Sequence, residues 1–355
     1  MASSDYGRAV IEYAHKSAAT QMSYKPELSA SPCFLVHDSK FRALIGKNPS
    51  IELIQERKGD KFAHEAGVYI KSTKSEYFTS NYQTGKTIET YSLDCKTREI
   101  KEVSVPEVIN PNGACNYQDK VLFCAQGSLT HPSSLALYDP AASSTSILLT
   151  NFLGRPFNSL NDVVIHHPTG DIYFTDPCYG YHQAFRPPPQ LPSQVYRFKP
   201  STGQVWCIAD GFVECNGLCF SPDYAKMYVT DTGAVQAHAT PFHGTNFSFN
   251  PKLPASIYEF DVVDGRLTNR KMFAFCDAGV PDGIKCDAEG NVYSGCGDGI
   301  QVWDPQGTLL GKIWTGATIG NFNFAKDGIW AFGEEQLYLI KLAAKGALVQ
   351  VECES

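Results

Sequence analysis

Six polar side chains recur down the chain at intervals of roughly 50 residues, the length of one propeller blade. They are Glu65 in His64-Glu65-Ala66-Gly67, Asn112 in Pro111-Asn112-Gly113, Asn161 in Leu160-Asn161-Asp162, Asn216 in Cys215-Asn216-Gly217, Asp282 in Pro281-Asp282-Gly283, and Asn321 in Gly320-Asn321-Phe322. Each is an acid or an amide. Set at the same point of six successive units, they converge on one axis. Glu65 and Asp282 then supply two carboxylates, and Asn161 and Asn216 two amide carbonyls. These are hard oxygen donors with no thiolate among them, a set that suits Ca²⁺ or Mg²⁺ better than Zn²⁺. Two carboxylates balance a divalent charge and leave positions for water or a substrate oxygen. A cation there polarises a carbonyl or phosphoryl group and lowers the pKa of a bound water. Asn-Gly and Asp-Gly are also common turn pairs, but here they open apolar strands instead of linking them.

The elements that must position these groups read as hairpins. Asn161 leads Val163-Val164-Ile165, a turn at 167–171, and then Ile172-Tyr173-Phe174-Thr175-Asp176. Asn216 and Asp282 lead similar strand–turn–strand runs, rich in β-branched and aromatic residues and punctuated by Gly, Pro, Asp and Asn. Asp176 and Asp231 hold equivalent places in their repeats, as braces for the ligands or as hairpin ends. Third strands are expected at 87–94, 133–139, 194–199, 256–262, 299–304 and 336–342. Fourth strands are expected at 99–105, 145–151, 205–209, 270–275, 309–314 and 347–352. The expected fold is all-β, a six-bladed β-propeller with a central divalent-metal site. Residues 1–32 form an N-terminal arm or cap, with a short helix within 9–19, and residues 33–355 the propeller. A strand at 51–57 closes the ring by pairing into the last blade, which removes a free sheet edge.

Composition narrows the function classes. Hydrophobic residues make up 43% of the 355, enough for a large core, and the net charge of −7 is the wrong sign for a nucleic-acid footprint. No run of 18 apolar residues and no apolar leader is present, so neither a membrane span nor a signal peptide is expected. The twelve cysteines contain no CxxC pair, and several fall inside apolar strands, so free buried thiols and a cytoplasmic setting are expected. Two motifs fail on inspection. His64-Glu65 begins an HExxH, but position 68 is Val. Gly295-Cys296-Gly297-Asp298-Gly299 lies between strands with no helix after it, so it reads as a hairpin turn and not a phosphate loop.

Taken in order, His64-Glu65-Ala66-Gly67-Val68-Tyr69, Asn161-Asp162, Tyr173-Phe174-Thr175-Asp176-Pro177 with Tyr179-Gly180, Cys215-Asn216-Gly217-Leu218 and Pro281-Asp282-Gly283 resemble the senescence-marker-protein, gluconolactonase and luciferin-regenerating-enzyme family. The Thr-Asp-Pro-x-Tyr-Gly string resembles its microbial and fungal lactonase branch. The resemblance implies a six-bladed propeller holding calcium on its axis, with Mg²⁺, Zn²⁺ and Mn²⁺ as alternatives. By position it makes Glu65, Asn161, Asn216 and Asp282 the metal ligands and Asn112 a substrate-contacting amide. The implied activity is hydrolysis of a small organic lactone or ester. The metal would polarise the carbonyl, Asp282 would act as base or nucleophile, and Glu65 would serve mainly as a ligand. His64, beside Glu65, together with Asn161 and Tyr179, are further candidate substrate contacts. Organophosphate hydrolysis, a bond-forming cyclase of secondary metabolism and a non-catalytic binding propeller are the rival readings. Ser159 stands where animal sugar-lactone members carry Arg. Insertions at 179–193 and 232–254 bring Phe185, Phe242 and Phe247, and suggest an apolar wall over the site.

Overall fold

Alternating apolar and polar residues between tight turns fold here into six four-stranded antiparallel sheets arranged about an axis. The computed structural model describes residues 10–12, 31–240 and 244–354. From axis to rim, blade 1 is Glu65–Ile70, Ser75–Thr79, Thr90–Asp94 and Ile100–Val103. Blade 2 is Pro111–Asn116, Val121–Ala125, Ser134–Asp139 and Ser144–Leu149; blade 3 is Val163–His166, Asp171–Asp176, Gln194–Lys199 and Gln204–Ala209. Blade 4 is Cys215–Phe220, Lys226–Asp231, Ser256–Val263 and Arg266–Phe275; blade 5 is Ile284–Cys286, Val292–Cys296, Gly299–Trp303 and Leu309–Trp314. Blade 6 is Asn321–Ala325, Gly328–Gly333 and Gln336–Lys341, completed by Ser50–Glu56 from near the other end of the chain. All six recurrent residues sit at the start of an innermost strand or within two residues of it.

The core lies between blades. Each buried cluster joins two neighbours: Val68 and Tyr77 of blade 1 pack with Phe123 and Ala136 of blade 2, and the pattern continues around the ring. Across the closure, Phe78 of blade 1 stacks on Phe332 of blade 6 at 5.2 Å. Both faces of every sheet are thus covered by the next, and the ring stands only when it is complete. The closing strand supplies that completion, with Ile51 opposite Ile340 and Leu53 opposite Tyr338.

Two expectations require correction. Residues 347–352 do not form the fourth strand of blade 6. That edge is already taken by Ser50–Glu56, and the chain instead crosses to blade 5, where Ala347 N donates to Cys286 O at 3.0 Å. It then ends in the π-helical turn Gln350–Glu354. Within 9–19, Val10–Glu12 is a strand and not helix, pairing parallel with Cys33–Val36, which extends the outer edge of blade 5; the rest of that stretch lies outside the described residues. The hairpin reading of Gly295–Gly299 holds, since Cys296 pairs with Gly299. The eleven cysteines from Cys33 to Cys296 are free thiols.

If closure by the 50–56 strand holds the ring, truncating its buried side chain is costly. Ile51→Ala should lower unfolding free energy by about 2–5 kcal/mol in urea titrations, the range for a buried Ile. Ile147→Ala, on the 41% exposed edge of blade 2, should stay within about 0.5 kcal/mol. Equal losses would show that the closing strand carries no special share of the stability.

Candidate metal centre

The inner strands are distorted where the recurrent residues sit. Strand pairing slips between Ala66 and Val68, between Pro111 and Ala114, and between Cys215 and Leu218. Such bulges release a residue from the ladder and re-aim its side chain. The glycines that follow the recurrent residues serve close approach, not turning. A Cβ on Gly113 would lie 2.4 Å from Asn161 O, one on Gly217 2.5 Å from Asp282 O, and one on Gly283 2.2 Å from Asn321 Oδ1. Each glycine therefore lets its blade touch the next at the axis, and Gly113 N donates to Asn161 O at 2.8 Å. Threonines on the second strands repeat the grip. Thr79 Oγ1 donates to Asn112 O at 3.3 Å, Thr175 Oγ1 to Asn216 O at 2.7 Å, and Thr230 Oγ1 to Asp282 O at 3.0 Å. Each threonine belongs to one blade and its acceptor to the next.

Asp176 and Asp231 are braces on the loops leading into the ligand strands. Asp176 accepts from Asn158 N and Ser159 N, both at 3.0 Å. Asp231 accepts from Val213 N and Glu214 N at 3.0 Å and from Gly233 N at 3.2 Å. Burial pushes the Asp176 carboxyl up to about 8, against the pull of its two amide donors.

Above the axis lies a cavity of about 270 Å³. Its lining includes every candidate named from the sequence: His64, Glu65, Asn112, Asn161, Tyr179, Asn216 and Asp282. At its floor, Asn161 Oδ1, Asn216 Oδ1 and Asp282 Oδ1 are buried with no hydrogen-bond partner. Ligand atoms of His64, Glu65 and Asp282 lie within 4.8 Å of one another. A buried acceptor without a donor is costly, and several together make a cradle for a cation. This donor set fits a divalent ion. The carboxyl groups behave accordingly. Burial raises Glu65 to about 8, helped by the charge of Asp282, and raises Asp282 to about 7, helped by Glu334.

The candidates differ in how they are held. Asn216 Nδ2 donates to the Tyr179 hydroxyl at 3.2 Å, which turns its carbonyl oxygen inward; that hydroxyl also bonds Thr232 Oγ1. Asn112 spends its Oδ1 on Gly113 N at 2.9 Å. Asn321, sixth in the recurrence, does not line the cavity. Its Nδ2 donates to Glu65 Oε2 at 2.8 Å, and its Oδ1 receives Phe322 N at 2.8 Å and Lys285 Nζ at 3.4 Å. It holds Glu65 in place from below.

Both insertions reach the mouth. The first carries the short helix Tyr179–His182, and Arg186 ties it down by donating to Asn158 O, Phe157 O, Ser128 O and His131 O at 2.7–2.9 Å. It is part of the scaffold, not a free lid. Phe185 packs on Tyr82 with centroids 5.3 Å apart, and Tyr82 lines the cavity. The second insertion forms the hairpin Val235–Thr240 with Gly244–Phe249, which places Phe247 in the cavity wall. Phe242 and His243 lie outside the described residues. Ser159 is fully buried, its hydroxyl donating to Pro177 O at 3.1 Å and accepting from Gly180 N at 2.9 Å.

Sequence reasoning missed Glu334. It lies in the turn after Gly328–Gly333, carries no motif, and meets His64 only because the ring closes. Its carboxyl is pulled down to about 2: burial opposes ionisation, but the charge of His64, a hydrogen bond from it, and Lys61 outweigh that. Conversely, burial works against a charged His64, while Glu334 and Glu65 together raise its pKa above the ordinary value.

Comparisons with known proteins place this geometry. Residues 65–252 and 244–325 match the family model described as the SMP-30/Gluconolactonase/LRE-like region. Lactonohydrolase oryL of Aspergillus oryzae is 33% identical over 334 residues, covering 88% of this chain and 75% of that protein. A gluconolactonase of Xanthomonas campestris shares the fold with a TM-score of 0.70 at 24% identity, over 87% of this chain and 94% of that one. Regucalcin of Agrobacterium tumefaciens, a calcium-binding protein, shares it with a TM-score of 0.60 at 16% identity, over 83% of this chain and 94% of that one.

Proposed function

The chain belongs to the SMP-30/gluconolactonase/LRE-like family, and from that premise we propose that it is a metal-dependent hydrolase of small organic lactones. The observation that carries the reading is the group of partnerless buried oxygens at the floor of the cavity. Glu65, Asn161, Asn216 and Asp282 hold a divalent cation. The oxygen set suits calcium, with Mg²⁺, Zn²⁺ and Mn²⁺ as alternatives. When bound, the ion supplies Lewis acidity toward the lactone carbonyl. Asp282 carries the proton transfer or nucleophilic role, because it is the less buried carboxylate of the set and lines the cavity, whereas Glu65 is fully buried and tethered by Asn321. Asn112 and Tyr179 flank the space a substrate would occupy. The similarity to a lactonohydrolase supports the reaction class.

The walls support a substrate class as well. Tyr82, Ile88, Val235, Phe247 and Val280 give the cavity an apolar side. Ser159, the position expected to carry a sugar-binding Arg, is buried away from it. Burial on such a wall favours substituents that shed apolar surface. In a lactone panel, aromatic or alkyl-substituted lactones should exceed gluconolactone in kcat/KM. Asp282→Asn should cost about 10²–10⁴ in kcat with the fold retained, the usual range for a lost general base. An Asp282→Asn enzyme with near-normal turnover on every active lactone would remove Asp282 from the chemistry.

The carboxyl pair also predicts how stability depends on pH. In the unfolded chain Glu65 and Asp282 ionise near ~4. Folded and metal-free, they keep their protons up to about 8 and about 7. Between these limits the native state binds more protons than the unfolded one, so metal-free stability falls as pH rises through the window. A bound cation favours the carboxylate forms and offsets that loss. The Tm gap between calcium-saturated and chelated protein should therefore be small near pH 5 and widen toward pH 8. A gap that stays constant across this range would separate cation binding from these two carboxyls.

A further inference from the structure

Glu334 is held in an uncommon way. Its φ is 64°, a left-handed conformation rarely adopted by residues other than glycine. The backbone is pinned there by two hydrogen bonds to Ala63, from Ala63 N at 3.0 Å and to Ala63 O at 2.7 Å. Its carboxylate accepts from Asn81 Nδ2 at 3.0 and 3.1 Å and lies 3.4 Å from Lys61 Nζ. With those partners it is committed, and it does not turn toward the axial oxygens. Its remaining contact is His64, with Oε1 2.8 Å from Nδ1. Gly320 makes the room, because a Cβ there would stand 2.5 Å from that same Nδ1.

The imidazole is thus gripped at one nitrogen and directed with the other. Nε2 lies 3.9 Å from Glu65 Oε1, and His64 belongs with Glu65 and Asp282 to the group whose ligand atoms fall within 4.8 Å of each other. Metal-bound histidines characteristically donate the second ring N–H to a carboxylate, which fixes tautomer and orientation. We propose that His64 is a nitrogen ligand of the axial cation and that Glu334 is the residue that positions it. This rests on the metal-site reading above and sharpens it. Four oxygens alone suit calcium. An added imidazole shifts preference toward d-block dications such as Mn²⁺ or Zn²⁺, because Ca²⁺ is a hard ion that takes oxygen ligands.

Mn²⁺ alone, without substrate, is the probe. Pulsed EPR of Mn²⁺-loaded protein should show ¹⁴N modulation from a bound imidazole, absent in His64→Ala. In titrations the wild type should bind Mn²⁺ more tightly than Ca²⁺. Glu334→Ala should weaken Mn²⁺ binding about 10–100-fold, as loss of a ligand-orienting partner does, and Glu334→Gln, which keeps an acceptor oxygen, should retain most of the affinity. Ca²⁺ binding should change little in His64→Ala. Thermal melts confirm that each variant folds. If Mn²⁺ binds without ¹⁴N modulation, or His64→Ala weakens both ions alike, the ligand assignment is overturned while the oxygen site stands. If wild type binds neither ion, the metal site itself fails, and this assignment with it.

Discussion

The structure depends on one constraint: oxygen acceptors must be gathered on an axis where no donor meets them. Asn161, Asn216 and Asp282 each present a partnerless buried oxygen there, and Glu65 is 2% exposed beside them. Left alone, such groups would turn away or draw in water. The ring prevents this because each side chain hangs from a strand that is already committed to its neighbours. The six buried clusters between blades supply the favourable free energy, and the axial groups are carried in the geometry those clusters impose. The cation proposed for this site would satisfy these acceptors together, and its binding would then be coupled to folding.

The grip is transmitted at the backbone. Glycines at 113, 217 and 283 bring adjacent inner strands close enough that any side chain would collide. Threonines 79, 175 and 230 add fastenings between blades 1 and 2, 3 and 4, and 4 and 5 by bonding the carbonyl of the next blade's axial residue. A displacement in one blade is therefore passed to the axial residue of the next. The axial side chains hang from one interlocked frame, as a precise binding geometry requires.

What could be read from the sequence was what repeats locally. The recurrence of an acid or amide before an apolar strand gave the blade count, and all seven candidate side chains meet in one cavity. One error has a plain physical cause. The 347–352 segment has strand-like residues, but no free sheet edge remains for it once Ser50–Glu56 is in place. The Asn-Gly and Asp-Gly pairs were legible as strand openings, but the crowding by an adjacent blade that requires the glycines is not revealed by composition. Asn321 reads as the sixth converging polar residue, but its amide is spent on Glu65. Glu334 carried no signal at all. Its partners Lys61, His64 and Asn81 belong to blade 1 and its approach, and only ring closure brings it to them.

Charge is also distributed with respect to the axis. In blades 3 and 4 the inward residue is a neutral amide, and the loop beneath it is braced by a carboxylate, Asp176 or Asp231. In blade 5 the inward residue is itself a carboxylate, Asp282. A further anion at the equivalent brace position would repel it in a region of low dielectric. That position is Gly297, whose N donates to Ala278 O at 2.8 Å. The bracing there falls to Lys312, which lies 2.6 and 2.8 Å from the two oxygens of Asp277 and 2.8 Å from Asp298 Oδ2. Gln301 Nε2 joins the same two aspartates, at 2.6 and 3.2 Å. The two acids thus share one lysine, itself 6% exposed, which offsets one of their two charges. Where the inward residue is an amide, a single buried acid braces the loop; where it is an acid, the neighbouring support is a pair of aspartates joined by a lysine.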